Sequence, residues 1–420
     1  MSGLKSNRKE FTDTLYLMLL QGVNQFLPVL VMPYLMIRLG ASGYGHVGFA
    51  LSVIQYLTLV VDFGFNLSAT KHIALVADHE AERTRVFWNV VVAKTLLLLA
   101  SSSVLTVLLL TVPTFRTYGS AILATWPMVL GSAFTFMWFF QGIGRVRLFS
   151  VINTVSKLAL LPLIFVFVKS PDDYALAAFL QATVFVSTAV ISNIYIARRH
   201  LVGAMRVDFK GVKEEVRTSF PLFLSTASTS VYTQLVVVIL GFYCTADEVG
   251  RYSSAERIMR AVCFLLYVPL SQVFFPKISA LSQRNRGEAV GLFRQVRLLV
   301  GGVMIAVGIG LYAGGPLLPS VLGADYVGID LYLRIFAFAP LFIGLGGVYG
   351  QMGLVALGND FTARRFRDVY FVAAVVAITL MFGLTPWWHS VGACVAVTFT
   401  EWLVMALMMF NFKRYHSLCS

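Results

Sequence analysis

The chain has 420 residues, 58% of them hydrophobic, and a mean hydropathy of +0.78, which excludes a soluble globular protein. Its 33 Lys and Arg outnumber 20 Asp and Glu, for a net charge of +13. That excess is spread over short loops between apolar stretches, as orientation in a membrane with an anionic inner leaflet requires, so no nucleic-acid partner is expected.

Twelve apolar stretches follow one another at 14–38, 46–67, 87–111, 120–141, 149–168, 174–196, 218–243, 252–276, 298–315, 331–357, 368–386 and 389–411. Each is about 20 residues or more, enough to cross roughly 30 Å of hydrocarbon at about 1.5 Å per helical residue. The two terminal tails and the even-numbered loops carry 24 Lys or Arg. The odd-numbered loops and their margins carry only Arg38, Arg116, Lys169, Arg251 and Arg334. By the positive-inside rule the basic side is cytoplasmic, and both termini lie there. The first stretch follows Lys5, Arg8 and Lys9; it is longer than a signal-peptide core and has no small-x-small cleavage site, so it is expected to remain as a helix.

The densest charge run, 197–217, falls at the midpoint and separates six stretches from six. It suggests an N-terminal lobe at 1–200, a charged cytoplasmic linker at 201–217 and a C-terminal lobe at 218–420. "YGHVGFA" (44–50) aligns weakly with "VGRYSSA" (249–255), matching Gly45 to Gly250 and Ala50 to Ala255. A repeat of six spans would be parallel, related by an axis along the membrane normal. The longest loops, 68–86, 197–217, 277–297 and 316–330, are too short to fold as domains, so the chemistry must lie within or between helices. Pro28, Pro33, Pro127, Pro162, Pro221, Pro269 and Pro340 fall inside stretches, where each removes a backbone donor and bends its helix. Such bends serve shape alone or motion during transport.

Charges inside spans cost about 2.5–3.5 kcal/mol each on insertion scales, and they usually face a partner or a cavity. Asp62, Lys94 and Lys157, on stretches two, three and five, sit about 8–12 Å in from the cytoplasmic ends by helical rise. Arg257 and Arg260 share one face of stretch eight, with Glu256 four before Arg260, and Glu401 lies in the last stretch. Internal pairs of Asp62 with Lys94 and of Glu256 with Arg260 are one expectation. They leave Lys157 and Arg257 without an assigned acidic partner and Glu401 unassigned. Cations facing a cavity would suit an anionic diphosphate or acidic sugar, for which arginine offers a matched fork of donors. Gln21, Asn24 and Gln25 in stretch one, and "STASTSVYTQ" (225–234) ending at Gln234 in stretch seven, are candidates for sugar hydroxyls or, equally, for helix contacts.

Cys244, Cys263, Cys394 and Cys419 form no CxxC pair, and the six histidines, His389 among them, form no spaced cluster, so no metal and no organic cofactor is expected. "GIGLYAGG" (308–315) lacks the strand and the Lys-Ser/Thr of a phosphate loop, and "GGVYG" (346–350) reads as close helix packing. No nucleophile–base pair or paired carboxylates stand out, so the chain is not expected to be an enzyme.

"QGVNQFLPVLVMPYLMIRLGASGYGHVGF" (21–49), "DFGFNLSATKHIA" (62–74), "FWNVVVAKTLLL" (87–98), "WFFQG" (138–142), "PLSQVFFPKIS" (269–279) and "VYGQMGLVALG" (348–358) resemble the O-antigen flippases. These form the polysaccharide-transporter branch of the multidrug/oligosaccharidyl-lipid/polysaccharide (MOP) exporter superfamily. The resemblance runs along essentially the whole chain and is most specific in the first two stretches. It implies an all-α fold of two six-helix lobes around a central cavity. It implies alternating-access flipping of an undecaprenyl-diphosphate-linked oligosaccharide from the inner to the outer leaflet of the bacterial cytoplasmic membrane. Membrane lipids and other polysaccharide assembly proteins are the further partners expected. The family's cavity is typically cationic, matching Lys94, Lys157, Arg257 and Arg260 as substrate-binding residues, and coupling to H+ or Na+ would fall to Asp62 or Glu401. A drug or cation antiporter of the same superfamily should prefer acidic residues inside its spans, where this chain has four basic against three acidic. An O-antigen polymerase should need a larger outward loop than 316–330.

Overall fold

A computed structural model describes the backbone of residues 2–419, and side chains from 27 to 415 except at 225, 228, 229, 231–233, 360 and 363. No strand occurs among the described residues. Among the described residues, nine segments are long and apolar enough to cross a membrane. Two of them, Leu27–Leu75 and Arg364–Tyr415, are broken by non-helical residues, Gly40 (φ 64°) and His389 (φ 49°), where the sequence places a loop between two spans. Each therefore holds two crossings. With the helix Phe209–Tyr243, the seventh expected span, the chain has the twelve crossings read from its sequence. It is an all-α, multi-pass membrane protein.

Two compact units divide the chain. Residues 1–39 and 46–227 make the first, with most of α1 (Ser2–Asp62), α2 (Phe65–Leu75), α3 (Glu80–Thr111), α4 (Pro113–Thr117), α5 (Gly119–Thr125), α6 (Pro127–Phe134), α7 (Met137–Gly142), α8 (Val146–Leu160), α9 (Pro162–Phe167), α10 (Tyr174–Arg198) and the first half of α11 (Phe209–Tyr243). Residues 40–45 and 228–420 make the second. It holds the rest of α11, α12 (Ala246–Arg284), α13 (Arg286–Gly314), α14 (Leu318–Leu322), α15 (Ile329–Phe336), α16 (Ala339–Gly347), a π-helix (Val348–Ala356) and α17 (Asp360–Cys419).

This division differs from lobe boundaries at 200 and 218, and the reasons are local. The first half of α11 is tied into unit 1 by the Ser68–Ser219 hydroxyl pair at 2.6 Å and by His72 Nδ1, 2.7 Å from Glu215 Oε1. Residues 40–45 are held in unit 2 by Tyr326, whose hydroxyl donates to the Gly40 carbonyl, and by Gly45 meeting Gly250. The two glycines paired by the weak internal alignment thus pack against each other.

Helices in lipid gain little from hiding apolar surface, so close packing and hydrogen bonds decide which faces turn inward. In α3 the outer stripe is Leu96, Leu99, Val107 and Leu110, all exposed, whereas Val90, Lys94, Leu98, Ser101 and Leu105 are buried. The one charge in the middle of this helix lies on its inner face. Unit 1 is filled by Phe87, with ring centroids 4.9 Å from Phe136 and 5.1 Å from Phe139, and by Trp138. Unit 2 is filled by Phe293, 4.7 Å from Phe412, and by Tyr349 and Met352 of the π-helix. The "GGVYG" segment packs closely as expected, the Tyr267 ring occupying the space a Cβ on Gly347 would need.

A Cβ at Gly250 would run into the Ala41 carbonyl, and one at Gly45 into that of Ala246. Gly250→Ala should therefore destabilise by about 1–3 kcal/mol, the usual range for overpacking. The check is a lowered apparent Tm of the purified protein in detergent, with Gly302→Ala, whose Cβ meets nothing within 4 Å, as the silent control.

Candidate functional site

In unit 1 the site is built on interrupted helices. α1 ends at Asp62 because Phe63 (φ 40°) and Gly64 (φ 80°) turn the chain; a Cβ on Gly64 would lie 2.8 Å from the Phe223 backbone nitrogen. Asp62 thus sits at a helix end inside the second expected stretch rather than mid-helix. Lys94, 1% exposed, places Nζ 2.9 Å from Asp62 Oδ1 and donates to the Ser132 carbonyl at 3.1 Å.

That carbonyl belongs to a second interruption, with no proline to announce it. α6 stops at Phe134, with Thr135 and Phe136 non-helical before α7, inside the crossing Gly119–Gly142. A helix end in hydrocarbon leaves carbonyls that must find donors. Thr135 Oγ1 donates to the Gly131 carbonyl at 2.7 Å, Lys94 to Ser132, and Asn193 Nδ2 to Phe134 at 2.9 Å. Lys94 therefore neutralises Asp62 and caps a broken helix at once, the C-terminal end of a helix being favourable for a cation. Lys157 is half-buried in the last turn of α8, just before the interruption at Leu161 and Pro162. The expected bends at Pro127 and Pro162 are realised as helix starts.

Unit 2 carries the other charges. Arg257 donates through Nη1 to the Tyr44 hydroxyl at 3.2 Å, its guanidinium 5.4 Å from the centroid of that ring. Among the described residues no carboxylate lies within ion-pair distance of Arg257. Arg260 lies 2.9 Å through Nε from Glu256 Oε1, as the four-residue spacing suggests, and 3.7 Å through Nη1 from Glu401 Oε1. Glu256 and Glu401 are both buried. Two carboxylates thus share one guanidinium, where Asp62 and Lys94 match one to one. Gln234 is half-buried on α11, and Gln21, Asn24 and Gln25 lie outside the described side chains. In the π-helix, Gln351 Oε1 accepts from Ser271 at 2.9 Å and Tyr267 at 3.2 Å.

Sequence reasoning anticipated the Asp62–Lys94 and Glu256–Arg260 pairs and missed Tyr44, Asn193, the Ser132 carbonyl and the place of Glu401. Tyr44 and Arg257 are 213 positions apart, and no spacing signal joins them.

The chain is thus a membrane protein of twelve apolar crossings with charged side chains held among its helices. The structure superposes on a multidrug resistance MATE family transporter of the MOP superfamily in its inward-facing conformation, with TM-score 0.68 and 15% identity over 94% of this chain and 95% of that one. It superposes on the lipid II flippase MurJ, inward closed, with TM-score 0.72 and 14% identity over 95% and 87%. At these identities the likeness is one of fold. Residues 11–282 match the family described as polysaccharide biosynthesis protein, and the chain belongs to that family. A protein of Escherichia coli (strain K12) named "Putative O-antigen transporter" is 30% identical over 401 residues, covering 94% of this chain and 95% of that protein. A protein of the same name from Shigella dysenteriae is 27% identical over 398 residues, covering 94% and 98%. None of these names describes an enzyme.

Asp62→Asn leaves a buried ammonium without its counter-charge. It should cost about 3 kcal/mol, the low end of roughly 3–5 for breaking a buried pair, because Asp62 is 29% exposed. Thermal unfolding in detergent should find the Asp62→Asn/Lys94→Met double variant more stable than Asp62→Asn alone; equal or greater loss would mean the two charges are uncoupled.

Proposed function

We propose that this protein flips an undecaprenyl-diphosphate-linked O-antigen or related polysaccharide repeat unit from the inner to the outer leaflet of the bacterial cytoplasmic membrane, by alternating access, with both termini cytoplasmic. The observation that carries this reading is full-length similarity to proteins named as O-antigen transporters, on a fold held in common with a lipid II flippase. The charge geometry supports it. A diphosphate cannot cross hydrocarbon bare, because the Born cost is many kcal/mol, so the protein must supply cations along the way. Arg257 suits the task best: an aromatic hydroxyl and ring hold it without cancelling its charge, leaving the remaining N–H groups of its fork for phosphate oxygens. Lys157, half-buried on α8, adds positive charge in unit 1, and Gln234 offers an amide to sugar hydroxyls in unit 2. The polyprenyl tail stays in lipid.

The coupling ion is assigned to Glu401. The Asp62–Lys94 pair is already neutral, whereas Glu256, Glu401 and Arg260 carry one negative charge in excess when all are ionised, which a single H+ or Na+ would balance. Uptake and release of that ion would then bias the conformation.

In the native host, Arg257→Ala should lower export of completed units about 10–100-fold, the equivalent of one lost charge-assisted contact of roughly 1.5–3 kcal/mol. The assay compares surface glycan on gels with lipid-linked units extracted from the membrane, the protein's own abundance being verified. Completed units accumulating on the inner leaflet are the expected result; a normal glycan ladder from Arg257→Ala/Arg260→Ala would sink the assignment. Glu401→Gln should abolish any dependence of export on the ion gradient while leaving the protein in the membrane.

A further inference from the structure

Three side chains of unit 2 that transport leaves unused converge at its Lys- and Arg-poor end. Cys244 lies between α11 and α12, Glu248 in the first turn of α12, and His389 at the break in α17. Cys244 and His389 are 145 positions apart, which is why no metal-ligand spacing is visible in the sequence. Their ligand atoms all lie within 4.8 Å of one another. Cys244 Sγ is 3.9 Å from His389 Nδ1, and the same nitrogen is 3.9 Å from Glu248 Oε2.

These separations are close to what a tetrahedral metal imposes. Bonds of about 2.3 Å to sulfur and 2.0–2.2 Å to nitrogen and oxygen put the donor atoms roughly 3.3–3.6 Å apart, a few tenths of an ångström inside the two separations from His389, while Cys244 and Glu248, within 4.8 Å of each other, would have to close further. The donor set is mixed: one thiol, one imidazole and one carboxylate, from two separate stretches of chain. The carboxylate is already oriented, accepting from the Thr245 backbone N–H at 3.1 Å and from its hydroxyl at 3.4 Å, as the supporting partners of a ligand do. His389 is held at φ 49° and ψ −136°, a backbone state that a residue with a side chain keeps only where its surroundings impose it. Glu248 is 26% and His389 53% exposed, so an ion can reach them from outside.

We propose that Cys244, Glu248 and His389 form a binding site for a divalent transition metal of borderline softness, zinc above all, with the fourth coordination position left to water. Sulfur and imidazole disfavour Ca2+ and Mg2+, which take oxygen ligands, and a thiolate with a carboxylate neutralises a 2+ ion. Burial and the neighbouring Glu248 push the Cys244 thiol up to about 12, so the ion displaces a proton to bind. A bound ion would pin the α11–α12 connection to the break between the last two crossings.

The test uses full-length protein in detergent, stripped of metal and free of any His tag, titrated with Zn2+ against a chromophoric chelator and separately with Co2+. One equivalent per chain should bind, and Co2+ should show a thiolate charge-transfer band with tetrahedral d–d absorption. Cys244→Ser should remove that band, and Cys244→Ser and His389→Asn should each weaken Zn2+ at least about tenfold. Asparagine is chosen because it tolerates positive φ, and a monodisperse elution profile establishes that each variant is folded. Cys419→Ser should bind as the unaltered protein does. Absent stoichiometric binding, or equal affinity in Cys244→Ser and His389→Asn, means an adventitious ion only and overturns the site.

Discussion

An interrupted helix inside hydrocarbon must find donors for its freed carbonyls, and much of unit 1 follows from that requirement. The gap between α6 and α7 exposes the carbonyls of Gly131, Ser132 and Phe134 to a medium without water. Thr135, Lys94 and Asn193 answer them one each. Lys94 can be the donor only because Asp62 stands 2.9 Å away, and Asp62 is there because Phe63 and Gly64 end α1 at that depth. Backbone break, cation and carboxylate form one solved problem. The cost of charge in the membrane and the cost of unpaired backbone cancel each other locally.

The two units use buried charge differently. In unit 1 the Asp62–Lys94 pair is balanced and its ammonium turned to internal acceptors, which suits a fixed element. In unit 2 the balance is off in both directions: among the described residues Arg257 has an aromatic partner and no carboxylate, while Arg260 has two carboxylates. Imbalance is what binding requires, since a group already neutralised by its own protein gains little from a ligand or an ion.

The spans were legible because hydropathy over about 20 residues is a bulk property that no tertiary contact overrides. The pairs Asp62–Lys94 and Glu256–Arg260 were legible as well, the first from matching depth and the second from four-residue spacing on one helix. The break at 134–136 was not, since neither Gly nor Pro occupies it. Ser68 and His72 hold the start of α11 to unit 1, and the compact units part at 227/228, within that helix. Side-chain hydrogen bonds across distant helices leave no periodic trace.

By itself the sequence determined the solvent: twelve apolar crossings, the asymmetry of Lys and Arg across them, and the presence of ionised side chains that lipid would not tolerate idle. Those are additive properties of local composition. Only the tertiary structure decided what each charge meets, because Tyr44 reaches Arg257, Glu401 reaches Arg260, and His389 reaches Cys244 through contacts between helices far apart in the chain. An ion pair or a ligand set depends on separations of 3 or 4 Å, and only packing sets distances that small.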